Sequence, residues 1–362
     1  MPTSTHNNDY DYLIIGQGLA GIWLSYFLIK MDKKVLLVDQ FNPNAASNVA
    51  SGIINPITGR KLVKSWQIEQ LLPFARQHYK ILEQLLQATF WYDREVVWRL
   101  HDNRTLNDFM GRSATSGYEQ YIADIGKNGH IAGINDAYAY GKVTQAAYLD
   151  TALLVKKYRA WLVEKGCLLD AFFDRDSLIV KKEGIEWKGR RAKKIIFCEG
   201  YHVLQNPYFN QLPFRPAKGE VLIIRSEALD LGNLMIKDKF FILPWGKKHH
   251  FWVGSSYIKA PCDEVTTDGE YQKLTEHIDR LLTVPYTIVK HIAGVRPATA
   301  ARRPIIGLHP HYPSIGLFNG LGTKGVSLSP FFAHQFAQYL EQGGTLHKEV
   351  AITRYAKLFE NI

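Results

Sequence analysis

The chain has 362 residues, 46% hydrophobic and 22% charged, with a formal net charge of +10. That length accommodates two domains with separate cores, and the composition is that of a globular protein rather than a disordered or fibrous one. No apolar run approaches the ~20 residues that span a bilayer, and the polar opening MPTSTHNND lacks the apolar core of a signal peptide, so a cytoplasmic protein without a membrane partner is expected.

The first elements in chain order are the most informative. Residues 10–40 read as strand, glycine turn, apolar helix, second strand and acid. Gly16 permits a tight turn after the first strand, and Gly18 lets backbone N–H groups at the helix N-terminus approach a pyrophosphate. Gly21 lets helix and strand pack closely, and Asp39, followed by Gln40, can accept hydrogen bonds from a ribose hydroxyl. The pattern predicts a dinucleotide site. By itself it leaves nicotinamide and flavin dinucleotides both open.

Residues 42–60, rich in Asn, Ala, Ser, Gly and Pro, read as irregular. A helical pattern follows over 68–86, with Pro73 either starting or kinking it. The aromatic-rich segment 90–140 suggests short strands and loops. Thr144 is placed to cap a helix running to Lys165, with Gly166 as its stop. Strand patterns then recur at 167–169, 177–181, 184–187 and in KKIIFCEG, which ends at Glu199 and Gly200. Further strands are expected at 220–225, 240–243 and 251–255, with a helix over 270–282. Near the end, SIGLFNGLGTKGVSLSPFFAHQFAQYLEQGG repeats the strand, glycine turn and helix order, finishing at Gly343. The expected architecture is α/β: a Rossmann-like nucleotide-binding domain from 1–60, 142–205 and 294–362. Into it is inserted an α+β domain with a mixed or antiparallel sheet, from 61–141 and 206–293.

The cysteines Cys167, Cys198 and Cys262 show no metal-ligand spacing, and two sit in apolar contexts, so reduced buried thiols are expected. The histidines form no H-E-x-x-H pattern, and no metal site is proposed. Basic clusters at 59–64, 188–194, 247–250 and 302–303 suit a solvated surface, an anionic ligand or nucleic acid.

The stretches GQGLAG…VDQ, ASNVASGIINP, KGEV, AGVRPATAARRPIIG and NGLGTKGVSLSP occur in this order along the chain. Together they resemble the FAD-dependent oxidoreductases of the D-amino-acid oxidase superfamily, within it the glycine oxidase and sarcosine oxidase branch. They are also similar to the oxidase domain of the bacterial tRNA wobble-uridine modification enzyme. The resemblance implies FAD as the dinucleotide. It implies that Ser47, Ser51 and Gly52 present hydroxyls and backbone N–H groups to pyrophosphate and flavin, and that Gly200 allows close backbone approach. It places the Phe172–Phe173 stretch, Phe173 the candidate, near the position whose backbone meets adenine, in an open register. It further implies that Gly320, Gly322, Thr323, Lys324 and Gly325 bring backbone and a cation to the flavin ring, where a helix N-terminus favours negative charge.

The same resemblance implies that Arg296, in GVRP, grips a substrate carboxylate with its planar guanidinium. An arginine paired with a distant acid is the competing reading. Tyr257 is the candidate pocket hydroxyl, since Phe241 stands where glycine oxidases carry a tyrosine, although a strand aromatic also suits a core. Ala301 departs from the family's usual acid. Covalently flavinylated sarcosine oxidases carry a cysteine at the position of Arg296, so FAD is expected to be held noncovalently. The expected reaction is oxidation of the C–N bond of a small amino acid or secondary amine, by hydride transfer to flavin N5 and imine hydrolysis. Two alternatives stay open. One is an oxidase acting on a modified tRNA nucleoside, and the other is an FAD-binding protein with a degraded pocket. Oligomeric state and electron acceptor are not legible.

Overall fold

The computed structural model describes residues 9–59, 61–127 and 130–360; the polar opening 1–8 and Arg60 of the basic cluster 59–64 lie outside the described residues. The chain separates into two compact units, one of 1–47, 155–216 and 296–362, the other of 48–154 and 217–295. Against the boundaries expected from sequence, 48–60, 142–154 and 294–295 fall in the second unit and 206–216 in the first. One strand explains most of the difference. Ala139–Leu149 is continuous and pairs antiparallel with Trp91–Leu100 and with Ile53–Ile54, which carries 53–54 and 142–149 into the second unit.

Thr144 therefore lies inside a strand and caps no helix; its Oγ1 donates to the carbonyl of Gln120 at 2.9 Å. The helix starts later, as Thr151–Glu164, and Asp150 Oδ1 accepts the N–H of Leu153 at 2.9 Å in the capping position. Gly166 (φ 65°) follows the helix end, as expected.

In the first unit, Asp9–Ile15 runs parallel to Val35–Val38 on one side and to Arg190–Phe197 on the other. Leu168–Leu169 continues the parallel order beyond Val35–Val38, and Ile315–Asn319 runs parallel to the second half of Arg190–Phe197. The hairpin of Leu178–Lys181 and Gly184–Trp187 pairs with the first half, and Ile305–Leu308 pairs antiparallel with Ile315–Asn319. The sheet has eight strands among the described residues. The five parallel strands point the same way, so the chain after Ile15, Val38, Leu169, Phe197 and Asn319 emerges at one end of it.

The strands read as continuous apolar runs because both faces are covered. Leu13, Ile15, Leu36, Ile195, Phe197 and Leu317 face a core containing Trp187 and Phe209. On the other face, Gly21 of helix Leu19–Lys30 would place a Cβ 3.7 Å from Ile14. That helix is buried at every position from Leu19 to Leu28, which accounts for its unbroken apolar sequence. It packs on the last helix, Gly325–Gln342, which stops at Gly343 (φ 74°) as expected.

The second unit has a nine-stranded sheet among the described residues. It is mixed: Leu234–Lys237 runs parallel to Trp91–Leu100, while His250–Gly254 pairs antiparallel with both Ala217–Arg225 and Phe241–Pro244. Helix Asp268–Leu281 covers a core of Leu222, Ile236, Ile242 and Val253 with its Leu274 and Ile278. Ile68–Leu86 is one helix with Pro73 inside it, not at its start. The segment 90–140 is more regular than expected: besides the ten-residue strand Trp91–Leu100 it holds a helix, Asn103–Ser113. Asp102 and Thr105 close its first turn reciprocally, Asp102 Oδ1 accepting the Thr105 N–H at 2.7 Å and Thr105 Oγ1 accepting the Asp102 N–H at 3.2 Å.

Each unit buries a histidine. His277 packs edge-on against Phe240, and His309 sits among Phe209, Tyr312 and Phe359. Burial pushes both imidazoles down from 6.5 to about 4, against the charge of Asp238 for His277 and with help from His311 for His309. The unfolded chain binds these protons below pH ~6.5 while the fold refuses them until about pH 4. Stability should therefore fall as pH drops through that window, by about 1.4 kcal/mol per pH unit for each histidine. Urea unfolding at pH 7 and pH 5 measures the slope, and His309→Phe should lessen it. An unchanged slope in that variant would show that His309 titrates normally.

Among the described residues no helix is long and apolar enough to cross a membrane, and no group of three His, Cys, Asp or Glu could hold a metal ion. The three cysteines are free; Cys198 is buried, and burial followed by the neighbouring Glu199 pushes its thiol well up.

Candidate functional site

The parallel strand ends of the first unit gather the expected nucleotide residues. Gly16 follows Ile15, Asp39 follows Val38, Gly200 lies three residues after Phe197, and Gly320 follows Asn319. Ligands of open parallel sheets bind at this end, where the turns bring helix N-termini and backbone amides to a crevice.

The first turn is built for closeness. Gly16 has φ 100°, and a Cβ there would lie 2.6 Å from the carbonyl oxygen of Cys198, so only glycine fits. A Cβ on Gly21 would fall on the Gly16 carbonyl. Gly18 is different: it has φ −73° and begins helix Leu19–Lys30 without a side-chain cap. Ser47 Oγ instead accepts the Leu19 N–H at 3.1 Å, and a Cβ on Gly18 would lie 3.2 Å from that oxygen. The turn thus presents bare backbone beside a hydroxyl at a helix N-terminus, a cradle that a side chain would fill. It fits a pyrophosphate.

Asp39 stands at the end of the next strand, as expected for a ribose acceptor. Its Oδ1 accepts the Gln17 N–H at 2.9 Å, and its Oδ2 accepts Arg159 Nη1 at 2.7 Å. Neither Gln17 nor Arg159 is singled out by the sequence patterns. Arg159 lies 120 residues from Asp39. Its only local signal is a cation on the helix face that also carries buried Val155, Tyr158 and Leu162.

Other expected residues divide. Gln40 and Thr323 are exposed. Ser47 belongs to the first unit, whereas Ser51 and Gly52 belong to the second, where Gly52 (φ 71°) abuts Leu149 and its carbonyl accepts the Leu149 N–H at 3.0 Å. The Phe173 ring is a core group, stacked on Trp187 at 5.0 Å, so only its backbone is left to meet an adenine; Phe172 is the exposed ring. Gly200 (φ 61°) accepts Asn319 Nδ2 on its carbonyl at 2.8 Å, tying two strand ends together.

The second glycine turn is likewise close-packed. Gly320 has φ 81° and would place a Cβ 2.7 Å from the Thr299 methyl; Gly322 has φ 56°. A Cβ on Gly325 would lie 3.2 Å from Leu19, where the two long helices begin. Lys324 precedes helix Gly325–Gln342. Burial lowers its pKa from the usual lysine value, and the nearby Arg303 and Arg302 lower it further. Arg296 ends strand Thr287–Arg296 half-buried, and the next residue, Pro297, accepts the Gly322 N–H at 3.2 Å. The arginine's own turn is thus stitched to the glycine turn.

Tyr257 lies beyond the end of His250–Gly254, on an irregular segment rather than in a strand, and is 62% exposed, so it is not a core aromatic. That segment is anchored within the second unit by buried charges. Lys218 Nζ donates to Asp263 Oδ1 and the Val265 carbonyl, both at 2.9 Å, and Glu220 accepts the N–H and hydroxyl of Thr267. The Phe241 ring has Lys237 Nζ 5.0 Å from its centre. Some basic clusters carry their own counter-charges: Arg191 pairs with Asp9, Lys193 with Asp11 and Arg303 with Glu349.

A family model described as DAO, FAD dependent oxidoreductase, matches residues 11–339. Glycine oxidase of Bacillus subtilis (strain 168) is 23% identical over 354 residues, covering 89% of this chain and 90% of its own. Among solved structures, glycine oxidase from Geobacillus kaustophilus aligns with a TM-score of 0.78 at 19% identity, over 93% of this chain and 96% of that one. Iminodiacetate oxidase (IdaA) from Chelativorans sp. BNC1 aligns with a TM-score of 0.77 at 21% identity, over 95% and 98%. At these identities the structural likeness speaks for the fold.

Proposed function

We propose, since this chain belongs to the DAO family of FAD dependent oxidoreductases, that it oxidises the C–N bond of a small amino acid or secondary amine bearing a carboxylate. FAD, held without a covalent bond, would supply the hydride acceptor, and the imine left on the substrate would be hydrolysed by water. The backbone of Gly16–Gly18 with Ser47 would hold the pyrophosphate, and Asp39 the ribose.

The observation that carries the reading is Arg296. Arg296, a half-buried residue, ends a strand, and its turn is hydrogen-bonded to the Gly320–Gly322 turn that leads into the last helix. A planar, always-charged fork in that place suits bidentate capture of a carboxylate. Lys324 and the helix N-terminus it precedes add positive potential, which favours an electron-rich ring. Tyr257 is our candidate hydroxyl donor. The names of glycine oxidase and iminodiacetate oxidase refer, in those proteins, to small amines that carry carboxylates.

The test is anaerobic mixing of the FAD-loaded protein with amino acids, N-substituted amino acids and their decarboxylated amines. Bleaching of the flavin absorbance by a carboxylated amine, and much slower bleaching by its decarboxylated counterpart, is expected. Equal rates for the two would remove the carboxylate from the reading. No bleaching by any of them would favour a different substrate class, the modified tRNA nucleoside among them.

A further inference from the structure

The acid that ends the second strand of the first unit is held in an unusual frame. Asp39 Oδ1 accepts the backbone N–H of Gln17, from inside the glycine turn, and Oδ2 accepts Arg159 Nη1. The same Nη1 donates to Gln17 Oε1 at 3.0 Å, and Nη2 donates to the Asp39 carbonyl at 3.1 Å. Gln17 is itself fixed, since its Nε2 donates to the Val155 carbonyl, one helical turn before Arg159, at 3.0 Å. Arg159 Nη2 also lies 2.9 Å from Asp170 Oδ2, at the end of the neighbouring parallel strand. One guanidinium therefore joins the helix, two strand ends and the glycine turn. It is 14% exposed, against 67% for Asp170.

The lone pairs can be counted. A carboxylate offers about four acceptor positions, two on each oxygen. Gln17 takes one on Oδ1 and Arg159 takes one on Oδ2, which leaves one on each oxygen. Two acceptors side by side match two adjacent hydroxyls. Without Arg159, the carboxylate would keep in this frame only the Gln17 N–H on Oδ1, one bond against the broad terminal torsion of an aspartate. Covering the carboxylate with a sugar would also leave its charge without the cation that now faces it.

We infer that Arg159 is a positioning residue for the cofactor: through Asp39 it sets the two acceptors that recognise the adenosine ribose diol of FAD. The inference rests on FAD occupying the first unit. It adds a residue from a distant helix to a site otherwise made of the glycine turn and the acid.

The experiment titrates apoprotein with FAD, and with an FAD analogue lacking both adenosine ribose hydroxyls, following quenching of flavin fluorescence. Wild type should prefer FAD. Failure of wild type to bind FAD would refute the cofactor assignment itself and is separate from the Arg159 outcomes. Arg159→Met, which keeps an apolar stem, should weaken FAD by about 10- to 100-fold, the range of a charge-assisted hydrogen bond. It should weaken the analogue much less, so that discrimination between the two shrinks. Arg159→Lys, which keeps the charge but not the fork, should recover part of that discrimination. Asp170→Asn leaves both contacts to Asp39 in place and should shift FAD affinity by less than about threefold.

Equal weakening of FAD and analogue by Arg159→Met would make Arg159 a packing residue and overturn the inference. So would undiminished discrimination in Arg159→Lys, which serves as the deciding variant where Arg159→Met does not fold. An effect of Asp170→Asn as large as that of Arg159→Met would transfer the role to the exposed pair, and would equally overturn it.

Discussion

Gly18→Val is expected to give a folded protein that does not hold FAD, whereas the same change at Gly16 or Gly21 is expected to prevent folding of the first unit. The three glycines share a turn but face different neighbours. Gly18 has φ −73°, a conformation open to any residue, and its Cβ would meet only the Ser47 hydroxyl, at 3.2 Å. That oxygen can give by a few tenths of an ångström. The branched methyls of valine would then occupy the space that the pyrophosphate needs beside the helix N-terminus.

Gly16 has no such freedom. It has φ 100°, and its Cβ would lie 2.6 Å from a carbonyl of Cys198, whose own N–H is bonded to Ile15 at 2.8 Å within the sheet. Left-handed strain and a backbone clash together should cost more than about 3 kcal/mol. At Gly21 a Cβ would fall on the Gly16 carbonyl. Circular dichroism, thermal melting and flavin content of the purified variants separate the two outcomes. Gly18→Val should melt within several degrees of apoprotein wild type with flavin reduced at least about tenfold. A Gly18→Val protein with normal flavin would mean that the cofactor lies elsewhere.

Arg296→Ala should abolish most turnover without removing FAD. If the guanidinium clamps a carboxylate in a partly dry pocket, truncation loses a charge-assisted bidentate pair. The cost should be about 2–5 kcal/mol of binding and orientation, or roughly 30- to 5,000-fold in the second-order rate constant for flavin reduction. Flavin content should stay near normal, because the residues proposed to hold the pyrophosphate and ribose lie at other strand ends. Arg296→Lys should recover only part of the loss, since an ammonium cannot reproduce the planar fork. The decarboxylated amine should be equally poor with wild type and with the alanine variant. Unchanged reduction of a carboxylated substrate by Arg296→Ala would sink the clamp and bring a pocket built around Tyr257 forward.

What was legible in the sequence is what local geometry decides. The strand, turn and helix of residues 10–40 could be read because the glycines, the apolar runs and the acid recur at the spacing that one strand, turn, helix and strand unit imposes. The last helix could be read for the same reason, with glycines at its start and Gly343 at its end. The family resemblance rested on these same turns.

What local patterns do not give depends on partners far along the chain. Thr144 has the chemistry of a cap, but residues 139–149 gain more by pairing with Trp91–Leu100, and the true cap, Asp150, takes over where that pairing stops. Phe173 and Phe172 are the same residue type side by side, and only the packing of Trp187 and Phe197 sends one ring inward. The run from Ser47 to Gly52 looked like one loop, yet the sheets on either side divide it between two units. Arg159 shows the limit most clearly. A helix pattern can place a cation on a buried face, but it cannot name the acid 120 residues away. The sequence by itself determined the glycine turns and the helix stops at Gly166 and Gly343, which local spacing and backbone conformation fix. The tertiary structure decided pairing, burial and the setting of Asp39, because those free energies come from surfaces that meet only once the chain has folded.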